Sequence, residues 1–166
     1  MNNIVLGNVI AFFGSGLMVL SGFVTKKKTF LMVQNVMFAI LATANIVLGG
    51  VTGCIVNLVS IVRNVLSVRV RFTWAWKAVF IALQVALSVG TNTQELLGWL
   101  PIMSGIIFTA FLDVQDEKKL KLVVLAAQSM WVIYDFALMN YTGFAFDIFA
   151  LLSNSIALYR LSRKAA

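Results

Sequence analysis

The apolar run Thr52–Arg69, TGCIVNLVSIVRNVLSVR, carries Asn57, Arg63 and Asn64, side chains that can bind solutes or ions when held away from bulk water. A second run, Thr142–Arg160, TGFAFDIFALLSNSIALYR, carries Asp147 and Asn154. Laid on each other at an offset of 90 positions (Asn64 to Asn154), Thr52/Thr142 and Gly53/Gly143 also coincide, and Asn57 falls on Asp147. An amide both donates and accepts, so paired asparagines suit a small polar solute, or else serve as hydrogen-bonding glue between helices. Asp135 and Asp147 fall at matching depth in adjoining segments. As a pair they could hold one proton or a cation; as separate groups they would be solvated carboxylates near an interface. Arg63 offers an anion contact, or a snorkelling stem. Gln128, Trp131 and Asp135 recur at i, i+3 and i+7, one helical face, where Trp131 and Tyr134 offer flat walls for stacking, or ordinary core.

Other chemistry lacks its residues. There is no histidine, and one cysteine, Cys54, which excludes an internal disulfide. With no metal cluster and no phosphate loop, an enzyme is not expected, nor is a metal or cofactor.

These groups need a scaffold, and composition names its solvent. Hydrophobic residues make up 61% and charged residues 11% of the 166 residues, against roughly 45–50% and 25% in soluble domains. The expected partner is the lipid bilayer. The start, MNNIVLGN, lacks a basic n-region, so no cleavable signal is expected. The net charge of +7 sits in short clusters between apolar runs rather than in a basic stripe, which excludes nucleic acid as the partner.

A membrane span needs about 20 residues and must be helical. Seven are expected, at about 4–24, 30–49, 52–70, 73–90, 97–113, 120–140 and 142–161. Lys26–Lys28, Arg69 and Arg71 with Lys77, Lys118–Lys121 and Arg160–Lys164 then all face one side, and Arg63 is the only basic residue within a span. The positive-inside rule makes that side cytoplasmic, with the N-terminus out and the C-terminus in. Short connections leave any protein partner, including a second copy in a homo-oligomer, to be met within the membrane.

The 90-position offset extends further. Lys26–Lys28 lands on Asp116–Lys118, Gly14-Ser15 on Ser104-Gly105, and Asn45 on Asp135. The expected architecture is an all-α polytopic membrane protein: a three-helix repeat at 1–71, a linker helix at 72–94 and a second repeat at 95–166. Parallel repeats with a site at their interface are one transporter design. Asn64 and Asn154 sit about 12 residues into their helices, roughly 18 Å deep and just past the midplane. Asn57 and Asp147 lie two turns nearer the outside, on the same faces.

The 3+1+3 layout, VIAFFGSG in the first helix, SIVRNVLSVR ending the third and SNSIALYR ending the seventh resemble the YgjV family of bacterial inner-membrane proteins. That family is distantly similar to the SWEET, SemiSWEET and PQ-loop transporters. The resemblance implies two three-helix bundles, N-out and C-in, around a central path. It also implies a binding site lined by an asparagine of each third helix, here Asn64 and Asn154. The Pro-Gln motif is absent, and the one proline is Pro101. The reading is a transporter or facilitator of a small polar solute (a sugar, a vitamin-like or a zwitterionic metabolite), with Asn45, Asn57, Arg63, Gln128, Trp131, Tyr134, Asp135 and Asp147 among its contacts. The alternative is a non-transporting scaffold or subunit whose polar groups only bridge helices.

Overall fold

A computed structural model describes residues 2–21, 27–70, 72–114 and 116–163. Lys26, Arg71, Lys164 and Gly22 lie outside them. Among the described residues seven helices follow one another: α1 (Asn3–Ser21), α2 (Lys27–Val47), α3 (Val51–Arg69), α4 (Trp74–Thr91), α5 (Glu95–Ala110), α6 (Glu117–Ala137) and α7 (Tyr141–Arg163). They match the seven expected spans, with ends shifted by a few residues. Among the described residues, stretches of α1, α3, α4, α6 and α7 are long and apolar enough to cross a membrane, and Leu31–Val47 of α2 and Glu95–Ala110 are shorter apolar helices. At 1.5 Å per residue, the 19 residues of α3 rise roughly 28 Å, close to the thickness of a hydrocarbon core.

Local chemistry explains the ends. After α2 the chain turns at Gly49, whose φ of 84° is left-handed. There Gly50 N donates to Asn45 O at 2.7 Å and Gly49 N to Ile46 O at 3.2 Å, the paired bonds of a Schellman stop. The turn after α6 repeats this 90 positions later. Asn140 N donates to Asp135 O at 2.9 Å, Met139 N donates to Phe136 O at 3.1 Å, and Met139 takes φ 58°. At the start of α6, Asp116 Oδ1 accepts from Lys119 N at 2.7 Å, an N-cap. The fifth helix stops at Ala110, three residues short of the expected 113. Phe111–Asp113 form a turn instead, which frees Asp113 to reach Lys77.

The helices pack in a closed circuit. α1 lies on α2, α2 on α3, α3 on α5, α5 on α6, α6 on α7, and α7 returns to α1. α4 lies against α3 and α5 only. With α4 set aside, exchanging α1 with α5, α2 with α6 and α3 with α7 leaves the circuit of neighbours unchanged. The two seams between the triplets, α1·α7 and α3·α5, are exchanged with each other, and α3 and α7 stand on opposite sides of the circuit.

Small residues set the approach distances. Gly14 lies under Leu41, and Gly7 under Leu48, each too close for a β-carbon without a shift. Ala11, Ala42, Ala44 and Ala127 add small side chains to the buried apolar core. Such residues let helix backbones come together where lipid supplies no hydrophobic drive.

Candidate functional site

Two polar clusters lie inside the circuit. The first is near the end that carries the α2–α3, α4–α5 and α6–α7 turns. Tyr134, fully buried, accepts from Gly53 N at 3.1 Å and donates to Gln94 Oε1 at 2.9 Å. Gly53 also packs against the Asn45 amide, and the pseudo-equivalent Gly143 packs against the Asp135 carboxylate. Asn140, the residue before α7, accepts from Gly143 N at 3.0 Å through Oδ1, and its side chain also bonds Asp135. Gln128 Nε2 donates to Asp147 Oδ1. Trp131 meets Tyr134 edge to face at 5.7 Å.

Two atoms in this layer have no partner. Asp147 Oδ2 and Asn57 Nδ2 are buried and unbonded. The residues are 7% and 3% exposed, so bulk water does not satisfy them. Each stands one turn after its glycine, Gly143 or Gly53, at positions 90 apart. One is an acceptor and the other a donor. Asp135, 6% exposed, lies near enough for its charge to act on Asp147. The sequence left open whether these carboxylates meet; the fold buries both in one layer.

The second cluster lies toward the basic end. Arg63, 5% exposed, donates from Nη1 to Thr109 Oγ1 at 3.1 Å across the α3·α5 seam, and from Nη2 to Asn64 Oδ1 at 3.1 Å. Asn64 Nδ2 donates to Gln34 Oε1 of α2 at 3.3 Å. Among the described residues the one salt bridge is Lys77–Asp113, so Arg63 faces neutral partners only. Lys77, itself buried, also donates to Ala110 O at 3.0 Å and lies 4.4 Å from the centre of the Trp74 ring. That carbonyl closes the last turn of α5, where a cation suits the helix dipole. Outside the helices, the hydrogen bond from Lys77 holds the Asp113 carboxyl below its ordinary range.

Asn64 and Asn154 do not bond each other. Asn154 Oδ1 accepts from Lys121 Nζ at 2.9 Å, and its Nδ2 donates to Ala150 O at 2.8 Å. The cause is the order of the circuit: α7 neighbours α6 and α1, not α3. The first cluster thus gathers Asn45, Asn57, Gln128, Trp131, Tyr134, Asp135 and Asp147; the second holds Arg63 and Asn64; Asn154 stands apart, beside Lys121.

With this layered polar interior in an apolar helical circuit, the family follows from a match over residues 5–165 to a pattern described as Imp-YgjV, bacterial inner membrane protein. The chain belongs to this family. It is a multi-pass helical protein of the bacterial inner membrane. No curated protein and no solved structure matches it.

Sequence reasoning missed several partners in this family member: Gln34, Thr109, Asn140, and the Lys77–Asp113 pair. Asn140 carried a usable signal, because an asparagine before an apolar helix is a favoured N-cap. Gln34 and Thr109 carried none, since both pass for single polar residues on otherwise apolar helices.

Proposed function

We propose that this inner-membrane protein is a transporter or facilitator of a small polar solute, and not an enzyme. In this reading residues 1–71 and 95–166 are two parallel repeats joined by the helix in 72–94, oriented N-out and C-in. Alternating access comes from rocking one triplet against the other, as in SWEET-like designs. The exchange symmetry of helix neighbours and the matched stops at Gly49 and Met139 support the repeat.

One observation carries the transport reading. Asp147 Oδ2 and Asn57 Nδ2 are buried without partners, although leaving such a group unbonded costs about 1–3 kcal/mol. Intramembrane polar groups of this kind mark pathways or sites. A carboxyl oxygen and an amide donor suit a solute that carries both a donor and an acceptor. Arg63, without a carboxylate partner among the described residues, adds a place for an anionic group farther in. A neutral or zwitterionic metabolite fits this lining best.

The test is thermal stabilisation of the purified protein by a panel of amino acids, sugars and vitamin-like compounds, repeated with Asn57→Leu and Asp147→Leu. The expected result is a stabilising compound whose effect both variants lose. If both folded variants respond like the parent, the site is misplaced. If no compound stabilises the parent, the scaffold reading takes over.

A further inference from the structure

Both seams between the triplets are tied at the same end, each by an asparagine side chain. At α1·α7, Asn8 Oδ1 accepts from Thr142 N at 2.8 Å, and Asn8 Nδ2 donates to Met139 O at 2.8 Å. One amide on α1 thereby grips the first turn of α7 and the turn before it. At α3·α5, the tie is Asn92, the residue that follows α4. Its Oδ1 accepts from Thr52 Oγ1 of α3 at 3.5 Å and from Gln94 N at 2.9 Å, while its Nδ2 donates to Glu95 O at 2.8 Å.

The two ties occupy equivalent places. Thr52 and Thr142 are 90 positions apart, as are Asn8 and Gly98. Gly98 is buried on α5, and a β-carbon there would fall on the Asn92 amide. The helix position that holds Asn8 in α1 is thus left empty in α5, and an asparagine from the preceding turn fills the space. Different residues deliver an amide oxygen to threonines 90 positions apart, to the backbone N of Thr142 and to the hydroxyl of Thr52. Tyr134 adds a third tie in this layer, joining Gly53 of α3 to Gln94 of the α4–α5 turn.

We propose that Asn8 and Asn92 form an outer latch that shuts both seams at the outside end and releases when the interior opens outward. This rests on the transport reading above and supplies the regulation of access to the same interior. Rocking the triplets apart at that end must break the contacts of Asn8 with Met139 and Thr142 and that of Asn92 with Thr52. The shut state is the one described. The buried positions of α7 are Gly143 and Asp147, both within its first two turns, while Leu152, Ile156 and Tyr159 farther along are more than half exposed. Along α7, burial is therefore concentrated at the latch end.

Cys54, the sole cysteine, reports on the latch. It follows Gly53 in the first turn of α3 and is half-buried. The experiment measures the rate at which a membrane-impermeant maleimide labels Cys54 from the outer face, without solute, in the full-length protein in oriented proteoliposomes. Asn8→Ala, Asn92→Ala and their double variant remove the amides. Gly98→Ala keeps both asparagines and raises helix propensity, but its β-carbon displaces the Asn92 amide. The expected result is a several-fold rise in rate for each single change, and more for the double. Rates equal to wild type in the double variant and in Gly98→Ala, with both folded, would overturn the latch. Labelling confined to the basic face would overturn it as well, since the tied end would not then be the outer one. Faster labelling with no stabilising solute would leave the latch standing and remove the transport reading.

Discussion

The Tyr134 hydroxyl supplies to Gly53 the hydrogen-bond acceptor that Gly50 lacks. In α7 the N-cap residue Asn140 accepts from Gly143 N. In α3 the N-cap position is Gly50, which has no side chain, and Tyr134 Oη accepts from Gly53 N instead. A β-carbon on Gly50 would run into that same hydroxyl. The start of α3 is therefore capped from α6, which couples the two triplets. Tyr134→Phe keeps the buried ring but leaves a backbone N–H without an acceptor and Gln94 without a donor. It should destabilise by about 1–3 kcal/mol, and Asn140→Ala by about 0.5–2 kcal/mol, both read as lower melting temperatures in detergent. A Tyr134→Phe protein that melts like wild type would show that Gly53 N finds another acceptor.

Met139 and Gly49 hold the same left-handed turn, but only one is suited to it. At φ 58°, Met139 bears the left-handed cost of about 1–2 kcal/mol for an L-residue. Its side chain is 48% exposed, so truncation loses little packing. Glycine restores about 0.5–1 kcal/mol of that cost as unfolded-state entropy. Met139→Gly should therefore stabilise by about 0.5–1 kcal/mol, and Gly49→Met should destabilise. Thermal melts of the two variants, run side by side, must move in opposite directions.

The turns also show what a sequence discloses. Helix number was readable because apolar length and charge clusters are local signals. The circuit order was not, because nothing in two apolar triplets says which helix sits between which. That is why Asn154, expected opposite Asn64, is found with Lys121, a stronger partner on its own neighbour α6. Asn8 escaped notice for a related reason. Its counterpart is Gly98, and the residue that replaces its function, Asn92, lies outside the aligned position. Lys77 counted only as one of the basic residues of the cytoplasmic side, whereas the end of α5 buries it with a carbonyl and Asp113 as partners.

The Lys77–Asp113 pair sets a pH dependence. The hydrogen bond from Lys77 lowers the folded-state value of Asp113. The pair's contribution is thus present in full above the unfolded carboxylate value of about 4. It fades as pH falls through the lower folded value. Asp113 is 61% exposed, so the contribution is small and screened by salt. Melting curves of wild type and Asp113→Asn from pH 7 to pH 3 should differ by a constant amount down to about pH 5 and converge below pH 4. A gap that does not narrow at all as pH falls below 4 would assign the difference to packing.

Arg63 separates a bridging role from a ligand role. Its neighbours, Asn64 and Thr109, are neutral, and it is 5% exposed. A buried charge without a counter-charge is a net cost, and replacing buried ions with apolar side chains of similar size is often neutral or stabilising by about 1–4 kcal/mol. Against this, Arg63→Met leaves Asn64 Oδ1 and Thr109 Oγ1 without their donor, a cost of about 1–3 kcal/mol if nothing rearranges. The hydroxyl of Thr109 can turn to its own helix backbone, and Gln34 can turn its amide toward Asn64, so the desolvation gain offsets most of the loss. Arg63→Met should therefore melt within about 1 kcal/mol of wild type while losing response to any solute that stabilises the parent. Arg63→Lys should lose that response too, because a point charge does not reproduce the planar fork. Strong destabilisation of Arg63→Met with solute response retained would make Arg63 a bridge between α3 and α5 and nothing more.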